Sequence, residues 1–334
     1  MSLDRLETGR LATVFGGSGF VGRHVVRALA RDGWRVRVAC RRPDLAFHLQ
    51  PLGGPGQIVA VQANVRNPDS VAAALRGAEA AVNLVGILAE GGQQKFAAVH
   101  AEGARAVAEA AHAAGITNFV HISAIGANAE SASAYARTKA LGEAAVLAAV
   151  PSAVILRPSV MFGPEDDFFN RFATMARYFP IIPVVGGDTK FQPVYVGDVA
   201  KAVALALHGG AKAGVIYELG GPEAKSFAEL VDYVLKVTER KRRVAKLSFG
   251  IGKLMAFITQ TLAKLSLGLF PKLLTMTTDQ VELLRHDNVV SSEATAEGRT
   301  LEGLGLAPQS IEAVVPAYLY RFRKTGQYQG QRIE

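Results

Sequence analysis

The amino-acid sequence predicts an α/β protein, in which a doubly wound parallel sheet is joined to a smaller, helix-rich C-terminal cap. Up to about residue 160, short apolar runs alternate with helical patterns, as is typical of a parallel sheet with helices on both faces. Nearly continuous apolar runs, such as residues 80–85, indicate strands that are covered on both sides. Beyond Pro158 the alternation loosens, because Pro164, Pro180 and Pro183 interrupt it.

The individual elements follow from this pattern in chain order. Strands are expected at residues 11–15, 34–40, 57–62, 80–85, 118–123 and 152–157. Helices are expected near residues 20–31, 68–76, 94–114 and 135–149. We therefore expect a sheet domain over residues 1–165, with 193–225 returning to it, and a cap over 166–192 and 226–334.

The composition indicates a cytoplasmic protein without a membrane span. The single cysteine, Cys40, excludes an intrachain disulfide and favours a reducing compartment. Residues 1–10 lack the apolar segment of a secretory signal, and no uncharged apolar run reaches the roughly 18 residues of a membrane helix. The seven histidines do not show the spacing of metal ligands, so no metal is expected.

Three spaced glycines, Gly16, Gly19 and Gly22, separate the first apolar run from the first helical pattern. At such a turn the first glycine permits the sharp bend, the second lets phosphates approach the backbone, and the third lets the helix pack on the strand. The unpaired N–H groups at the start of the helix favour an anion. The motif predicts a dinucleotide pyrophosphate site, and Gly33 is placed to end the helix.

Tyr135 and Lys139 lie four residues apart at the start of a predicted helix, so their side chains share one face. An ammonium beside a phenol favours the phenolate, which lowers the phenol pKa from about 10. Such a tyrosine can exchange a proton with a carbonyl or hydroxyl group. Ser123 ends the preceding strand, at the sheet edge where ligands bind. The alternatives are a surface pair for Tyr135 and Lys139 and a turn residue for Ser123.

Together these motifs resemble the extended or atypical short-chain dehydrogenase/reductase superfamily. The resemblance extends to residues 83–86 (Asn-Leu-Val-Gly), to Arg157-Pro158, and to residues 193–200 (Pro-Val-Tyr-Val-Gly-Asp-Val-Ala). A narrower resemblance, to the nucleotide-binding accessory subunits of respiratory complex I and their bacterial relatives, covers almost the whole chain. It rests on residues 121–126, 157–167 and 274–284 and on Asp287-Asn288.

The resemblance implies a Rossmann domain that binds NADP(H) tightly, with Ser123, Tyr135 and Lys139 at the catalytic positions and Lys139 bonded to the nicotinamide ribose. Members of the superfamily commonly have an Asn, which supports a water relay, where this chain has His100. His100 either relays protons itself or is an ordinary packed or surface residue. The cofactor-binding residues expected from the motifs and the resemblance are Gly16, Ser18, Gly19, Phe20, Val21, Gly22, Arg41, Arg42, Asn64, Val65, Val85, Gly86, Tyr135, Lys139 and Pro158.

The end of the second strand indicates the choice of cofactor. NAD sites usually have an acid there, whereas this chain has Arg41 and Arg42. Two guanidinium groups favour a 2′-phosphate through forked, charge-assisted hydrogen bonds, so NADP(H) is expected. The alternative is a solvated basic loop. Asn64, at the end of the third strand, can accept a bond from the adenine amino group.

Residues 240–272 carry eight cations, and no acid occurs from 240 to 278. Within this segment apolar residues at steps of three and four predict one face of a helix, with lysines along its flank. The face consists of Leu247, Ile251, Leu254, Ile258, Leu262, Leu265 and Leu269. Such a helix suits an anionic membrane surface or complex I subunits, whereas nucleic acid is not expected because aromatic residues do not interleave the cations. The alternative is a helix packed on its own domain.

Two classes of function therefore remain open. One is an accessory or assembly protein of complex I that holds NADPH, in the cytoplasm or peripherally on the inner face of the membrane. The other is an active NADP-dependent reductase, dehydrogenase or epimerase with an unknown carbonyl or hydroxyl substrate.

Overall fold

The computed structural model describes residues 9–266, 271, 273, 275–324 and 326, without the side chain of Lys264. The chain forms two compact units. The first contains the chain up to Pro158 together with Val196–Leu219 and Val290–Ala307, and the second contains Ser159–Tyr195, Gly220–Val289 and the chain from Pro308 onward. The expectations for Leu269, Lys272 and residues 1–8 lie outside the described residues.

The first unit is built on a sheet of seven parallel strands in the order β3-β2-β1-β4-β5-β6-β11. The predicted α/β fold class is thereby confirmed. The strands are β1 (Leu11–Phe15), β2 (Arg35–Cys40), β3 (Ile58–Gln62), β4 (Ala80–Asn83), β5 (Asn118–Ile122), β6 (Val154–Pro158) and β11 (Ile216–Leu219). The helices are α1 (Phe20–Arg31), α2 (Pro68–Leu75), α3 (Glu102–Ala113), α4 (Ala134–Ala149), α6 (Val196–Leu207) and α10 (Ser292–Ala296).

The six strands and four helices expected up to residue 158 are present, with ends shifted by a few residues. The largest difference is the helix expected at 94–114. It begins with a π-helical turn, Ala97–Ala101, and continues as α3. Phe96 lies at the start of this helix, where its N–H has no helical acceptor and donates instead to the carboxylate of Glu90 at 2.8 Å. A 3-10 helix, Pro43–Leu52, follows β2 and was not expected.

The second unit contains three pairs of strands and a core rich in aromatic residues. Phe168 contacts Phe169, Phe172 and Phe227 with ring centroids 5.2 to 5.6 Å apart. The strand pairs are β7 (Met161–Phe162) with β10 (Val194–Tyr195), β9 (Lys190–Phe191) with β12 (Lys225–Ser226), and β8 (Ile181–Val185) with β13 (Arg243–Leu247). The helices are α5 (Phe169–Tyr178), α7 (Phe227–Val237), α8 (Phe249–Leu265), α9 (Thr278–Leu283), α11 (Ile311–Val314) and α12 (Pro316–Leu319).

The observed division differs from the expected one chiefly at Val290–Ala307, which belongs to the first unit rather than to the cap. This segment lies along the edge strand β11. The backbone N–H of Glu218 donates to the carbonyl of Arg299 at 2.9 Å, and its carboxylate accepts from the N–H of Ser291 at 2.8 Å. The Arg299 guanidinium also donates to the carbonyl of Ile216. These bonds join residues 73 to 83 positions apart, so no local pattern could reveal them.

Among the described residues, no helix is both long enough and apolar enough to cross a membrane.

Candidate functional site

Adjacent strands β1 and β4 mark the point where the strand order of the sheet reverses, and ligands bind at the carboxyl edge of such a point. The chain leaves β1 through Gly16, whose φ of +78° favours glycine. A Cβ at Gly16 would lie 3.3 Å from the backbone N of Val85, in the loop after β4. The turn after β1 and the loop after β4 are therefore neighbours, as the expected cofactor site requires.

The turn opens directly into α1. Gly19 is the N-cap residue, and no side chain caps the first turn of the helix. A Cβ at Gly22 would overlap the carbonyl oxygen of Gly16, so this position must remain glycine for α1 to lie on the turn. The Ser18 hydroxyl is hydrogen bonded to the thiol of Cys40. No side chain therefore competes with a phosphate for the N–H groups in the first turn of α1.

The two arginines after β2 are exposed, but they differ in their partners. Arg42 forms an ion pair with Asp44 at 2.7 Å, and this pair raises the Arg42 pKa while it lowers the Asp44 pKa. Arg41 forms no ion pair within the part of the chain that the structure describes. The pairing of Arg42 with Asp44 was not predicted, although the acid lies only two residues beyond the arginine.

Asn64 and Val65 follow β3, the next strand along the same edge. The Asn64 side-chain oxygen accepts from the N–H of Arg66 at 3.2 Å and retains a second lone pair. Val65 is buried against Gly103, where a Cβ would lie 2.9 Å from Val65. Asn64 thus keeps the acceptor that contact with an adenine amino group requires.

Tyr135 and Lys139 lie in the first turns of α4, which begins where the Ser133 hydroxyl accepts from the N–H of Ala136. The buried Lys139 ammonium donates to the carbonyl of Ile122 at 3.0 Å, immediately before Ser123. A Cβ at Gly86 would lie 3.6 Å from Lys139 Nζ. The structure therefore brings the lysine, the end of β5 and the loop after β4 together at the carboxyl edge.

The electrostatics of this pair differ from the expectation. Burial lowers the pKa of Lys139 to about 8, whereas desolvation raises the pKa of Tyr135 to about 12. Burial has this effect because it disfavours the charged phenolate relative to the neutral phenol. Tyr135 is thus a protonated phenol at neutral pH, which suits a proton donor better than a base.

The His100 ring packs edge to face against the Tyr135 ring, with ring centroids 5.2 Å apart. Its Nε2 accepts from the N–H of Ile87 at 3.0 Å, so the proton is on Nδ1, which lies 3.2 Å from the Thr138 hydroxyl. Burial and the charge of Lys139 lower the His100 pKa to about 3. The neutral His100 ring is thus buried and has a partner at both nitrogens, as a packed structural residue does.

Two other polar side chains of β5 and its end are buried without a hydrogen-bond partner in the described part of the molecule. They are His121, through both ring nitrogens, and Ser123, through its hydroxyl. Burial also lowers the His121 pKa to about 3. An unpartnered buried hydroxyl is unusual in proteins and is common where a ligand supplies the missing bond.

A family model for NAD dependent epimerases and dehydratases matches residues 12–220, which include every site element described above. The chain belongs to this family. Its fold and its nucleotide-binding edge are therefore those of an extended short-chain dehydrogenase/reductase.

Similarity to subunits of respiratory complex I extends over nearly the whole chain. The mitochondrial NADH dehydrogenase (ubiquinone) 1 alpha subcomplex subunit 9 of Arabidopsis thaliana is 34% identical over 330 residues, which are 98% of this chain and 81% of that protein. A ceramide reductase of Caulobacter vibrioides is 36% identical over 190 residues, 57% of this chain and 58% of the enzyme. The crystal structure of an Escherichia coli NADPH-dependent quinone oxidoreductase with NADPH has a TM-score of 0.69 at 21% identity, and covers 92% of this chain and 99% of that one.

The residues present fit the dinucleotide that this epimerase/dehydratase family binds. The glycine turn would hold the pyrophosphate, the arginines after β2 the adenosine end, and Lys139 the nicotinamide ribose. The carbonyl of Pro158, at the end of β6, accepts from the N–H of Ile125 at 3.1 Å. Phe20 and Val21 are half-buried in the first turn of α1. No cluster of three or more metal-ligating side chains occurs in the described ranges.

A buried ionic network, which the sequence analysis missed, continues from Lys139 into the sheet. Glu143, one turn after Lys139, accepts two hydrogen bonds from the Arg157 guanidinium, at 2.8 and 2.6 Å. Arg157 also lies 3.7 Å from the carboxylate of Glu218 on β11. The spacing of Glu143, four residues after Lys139 on one helix face, is the signal that could have revealed the network.

Proposed function

We propose that this protein is an NADP(H)-binding accessory or assembly protein of respiratory complex I, held in the cytoplasm on the inner face of the membrane. The glycine turn between β1 and α1 carries the nucleotide part of this proposal, since Gly22 leaves room for no side chain. The arginines that follow β2 support NADP(H) over NAD(H), because Arg41 is exposed and free of ion pairs in the described chain. Asp44 would compete with the 2′-phosphate of NADP(H) for Arg42 but not for Arg41.

Titration calorimetry with both cofactors tests the nucleotide part. NADPH should bind at least about tenfold more tightly than NADH, or 1.4 kcal/mol. Arg41→Ala should weaken NADPH more than NADH. Arg35→Ala is the matched control, because Arg35 is an exposed arginine at the opposite end of β2. Equal affinities for the two cofactors in the wild-type protein would contradict the proposed preference.

The complex I part rests on the extent of the match to subunit 9, which covers both units of this chain. The test is purification of the protein from native membranes under mild detergent. Complex I subunits should copurify with it, and denaturation of the complex should release NADPH. Recovery of the protein without any complex I subunit would contradict this part and leave the nucleotide part standing.

A second candidate function is an active NADPH-dependent reductase, and the position of Ser123 beside Lys139 favours it. A bound reduced nicotinamide supplies hydride, and the chain supplies the proton. Tyr135, protonated at neutral pH, can donate to a carbonyl oxygen that Ser123 also bonds. The similarity to a ceramide reductase suggests a lipid carbonyl as substrate.

Turnover of NADPH with a carbonyl-bearing ceramide tests this second candidate. Tyr135→Phe should abolish turnover and leave NADPH bound, since the phenol contributes to the transition state rather than to cofactor binding. Lys139→Ala should weaken cofactor binding as well. Tyr178→Phe, at an exposed tyrosine of the second unit, is the control. Turnover that is unchanged in Tyr135→Phe would rule out this mechanism.

A further inference from the structure

One side of α8 presents large apolar side chains to solvent. We call this side the α8 face, and we propose that it docks on an anionic lipid surface. Exposed fractions on it range from 45% for Leu262 to 75% for Leu265. Its members are Ile251, Leu254, Phe257, Ile258, Leu262 and Leu265.

The second unit holds this face outward, because α8 packs through its small residues. A Cβ at Gly252 would lie 2.5 Å from Val185 Cγ1, and Ala256 is completely buried in a cluster with Val185 and Val281. At 100° per residue, the α8 face spans about 140° and lies roughly opposite Gly252 and Ala256. Five of the residues predicted to share one apolar face, from Ile251 to Leu265, do so on α8, whereas Leu247 lies in β13 and packs on this cluster. The alternative, a face packed on its own domain, is wrong for those five residues, which are 45% to 75% exposed.

Cations accompany the α8 face. Lys241 and Arg243 are exposed on and just before the strand that leads into α8, and within the described residues neither forms an ion pair. Lys246 and Lys253 are paired with Asp188 and Glu282, but about half of each lysine side chain remains exposed. Exposed pairs of this kind are weak, so both lysines can exchange partners.

This combination favours a lipid surface as the occupant. Leucine and phenylalanine side chains on one helix face, with lysines beside them, are typical of helices that lie in the headgroup plane of an anionic leaflet. A second copy of the chain fits less well, because an isologous contact uses the same patch of both copies and so gathers the cations of two α8 flanks at one interface. The inference is independent of cofactor binding and of turnover, since its residues all lie in the second unit.

Flotation of the purified full chain with vesicles tests the proposal. The protein should float with vesicles of phosphatidylcholine mixed with phosphatidylglycerol, and far less with phosphatidylcholine alone. Binding should weaken at high salt, because the Debye length falls from about 10 Å at 0.1 M to about 3 Å at 1 M. Lys241→Gln together with Arg243→Gln should weaken binding by about fivefold per charge removed.

A matched pair of double variants isolates the apolar contribution. Leu254→Gln with Phe257→Gln should weaken vesicle binding by roughly tenfold or more. Leu45→Gln with Phe47→Gln changes side chains of nearly equal exposure in the first unit, and should leave binding unchanged. In addition, Phe257→Trp adds a second tryptophan to the buried Trp34, and its emission should shift to the blue when anionic vesicles are added.

Three results would overturn the proposal. One is equal flotation of the wild type and the Leu254, Phe257 double variant. Another is concentration-dependent self-association that this double variant removes, with no vesicle binding, which would make a second copy the occupant. The third is absence of vesicle binding together with copurification of complex I subunits that requires Leu254 and Phe257, which would identify a protein partner instead.

Discussion

The two longest helices, α4 in the first unit and α8 in the second, both pack through a glycine and yet present opposite residues. On α4, a Cβ at Gly142 would overlap the carbonyl oxygen of His100, so the helix lies directly against the π-helical turn. This approach buries Lys139 and Glu143, which are 5% and 3% exposed. On α8, close packing at Gly252 turns leucines and phenylalanine to solvent. Charged residues inside and apolar residues outside are the reverse of what burial alone favours.

Buried charges and exposed apolar side chains are both stabilised by a partner that covers or neutralises them. The two helices differ in where that partner lies. The buried charges of α4 have theirs within the chain, since Lys139 bonds Ile122 and Glu143 bonds Arg157. The exposed apolar side chains of α8 have no corresponding cover in the described part of the second unit. Local rules are broken mainly where a protein works, so the two helices indicate an internal site and an external surface respectively.

The largest effect expected of a single substitution at neutral pH separates the ion pairs of the two helices. Arg157→Met should lower the free energy of unfolding by about 3 kcal/mol, because it leaves the Glu143 carboxylate buried without its partner. Lys253→Met breaks the exposed pair with Glu282 and should cost less than about 1 kcal/mol. Urea unfolding measures both. Adding Glu143→Gln to Arg157→Met should recover part of the loss, and similar losses in the two single variants would contradict the contrast.

Where neighbours in sequence determine the structure, the sequence was sufficient. The first strand, the glycine turn and α1 were predicted to the residue, and Gly33 ends the helix with a φ of +84° as expected. The apolar grouping was also correct within α8, because helical periodicity is a local property, but it failed at Leu247, which precedes the helix in β13. The candidate positions at the carboxyl edge followed from the same strand-to-loop pattern.

Where distant segments meet, the sequence was insufficient. Periodicity defines a helix face but does not say whether that face meets the core or solvent, and on α8 this depended on Val185, which is 67 positions before Gly252. The tautomer of His100 depends on Ile87 and Thr138, from two other elements. The expected lowering of the Tyr135 pKa failed because desolvation, unlike the spacing to Lys139, is a property of the folded site.

A smaller effect distinguishes two buried histidines of the internal site. His100→Leu should cost about 2 kcal/mol, because the N–H of Ile87 loses its acceptor. His121→Leu should cost little or even stabilise the protein at pH 7, since its ring nitrogens have no partner in the described structure. Thermal or urea unfolding of both variants measures the difference, and a larger loss for His121→Leu would contradict it.

The same two histidines predict that the free energy of unfolding falls at acidic pH, which gives the pH profile an acid limb. Both have a folded-state pKa of about 3, whereas an unfolded histidine titrates near 6.5. Between these values the unfolded chain binds more protons, so stability should fall as the pH drops below 6.5, by up to about 1.4 kcal/mol per pH unit for each histidine. His121→Leu should flatten this limb. An unchanged pH profile in that variant would show that His121 is not held neutral.

The smallest expected effect concerns the α8 face. A small change in the free energy of unfolding is what an uncovered face predicts. Leu254→Gln with Phe257→Gln should change the free energy of unfolding by no more than about 0.5 kcal/mol in the absence of lipid, because both side chains are more than 60% exposed and glutamine is a good helix former. Thr259→Ala, on the packed side of α8, should cost about 1 kcal/mol, since its hydroxyl donates to the carbonyl of Met276 at 3.1 Å. Urea unfolding of both variants without vesicles gives the comparison. A loss above about 2 kcal/mol in the double variant would mean that the α8 face is already covered in solution, and the contrast with α4 would disappear.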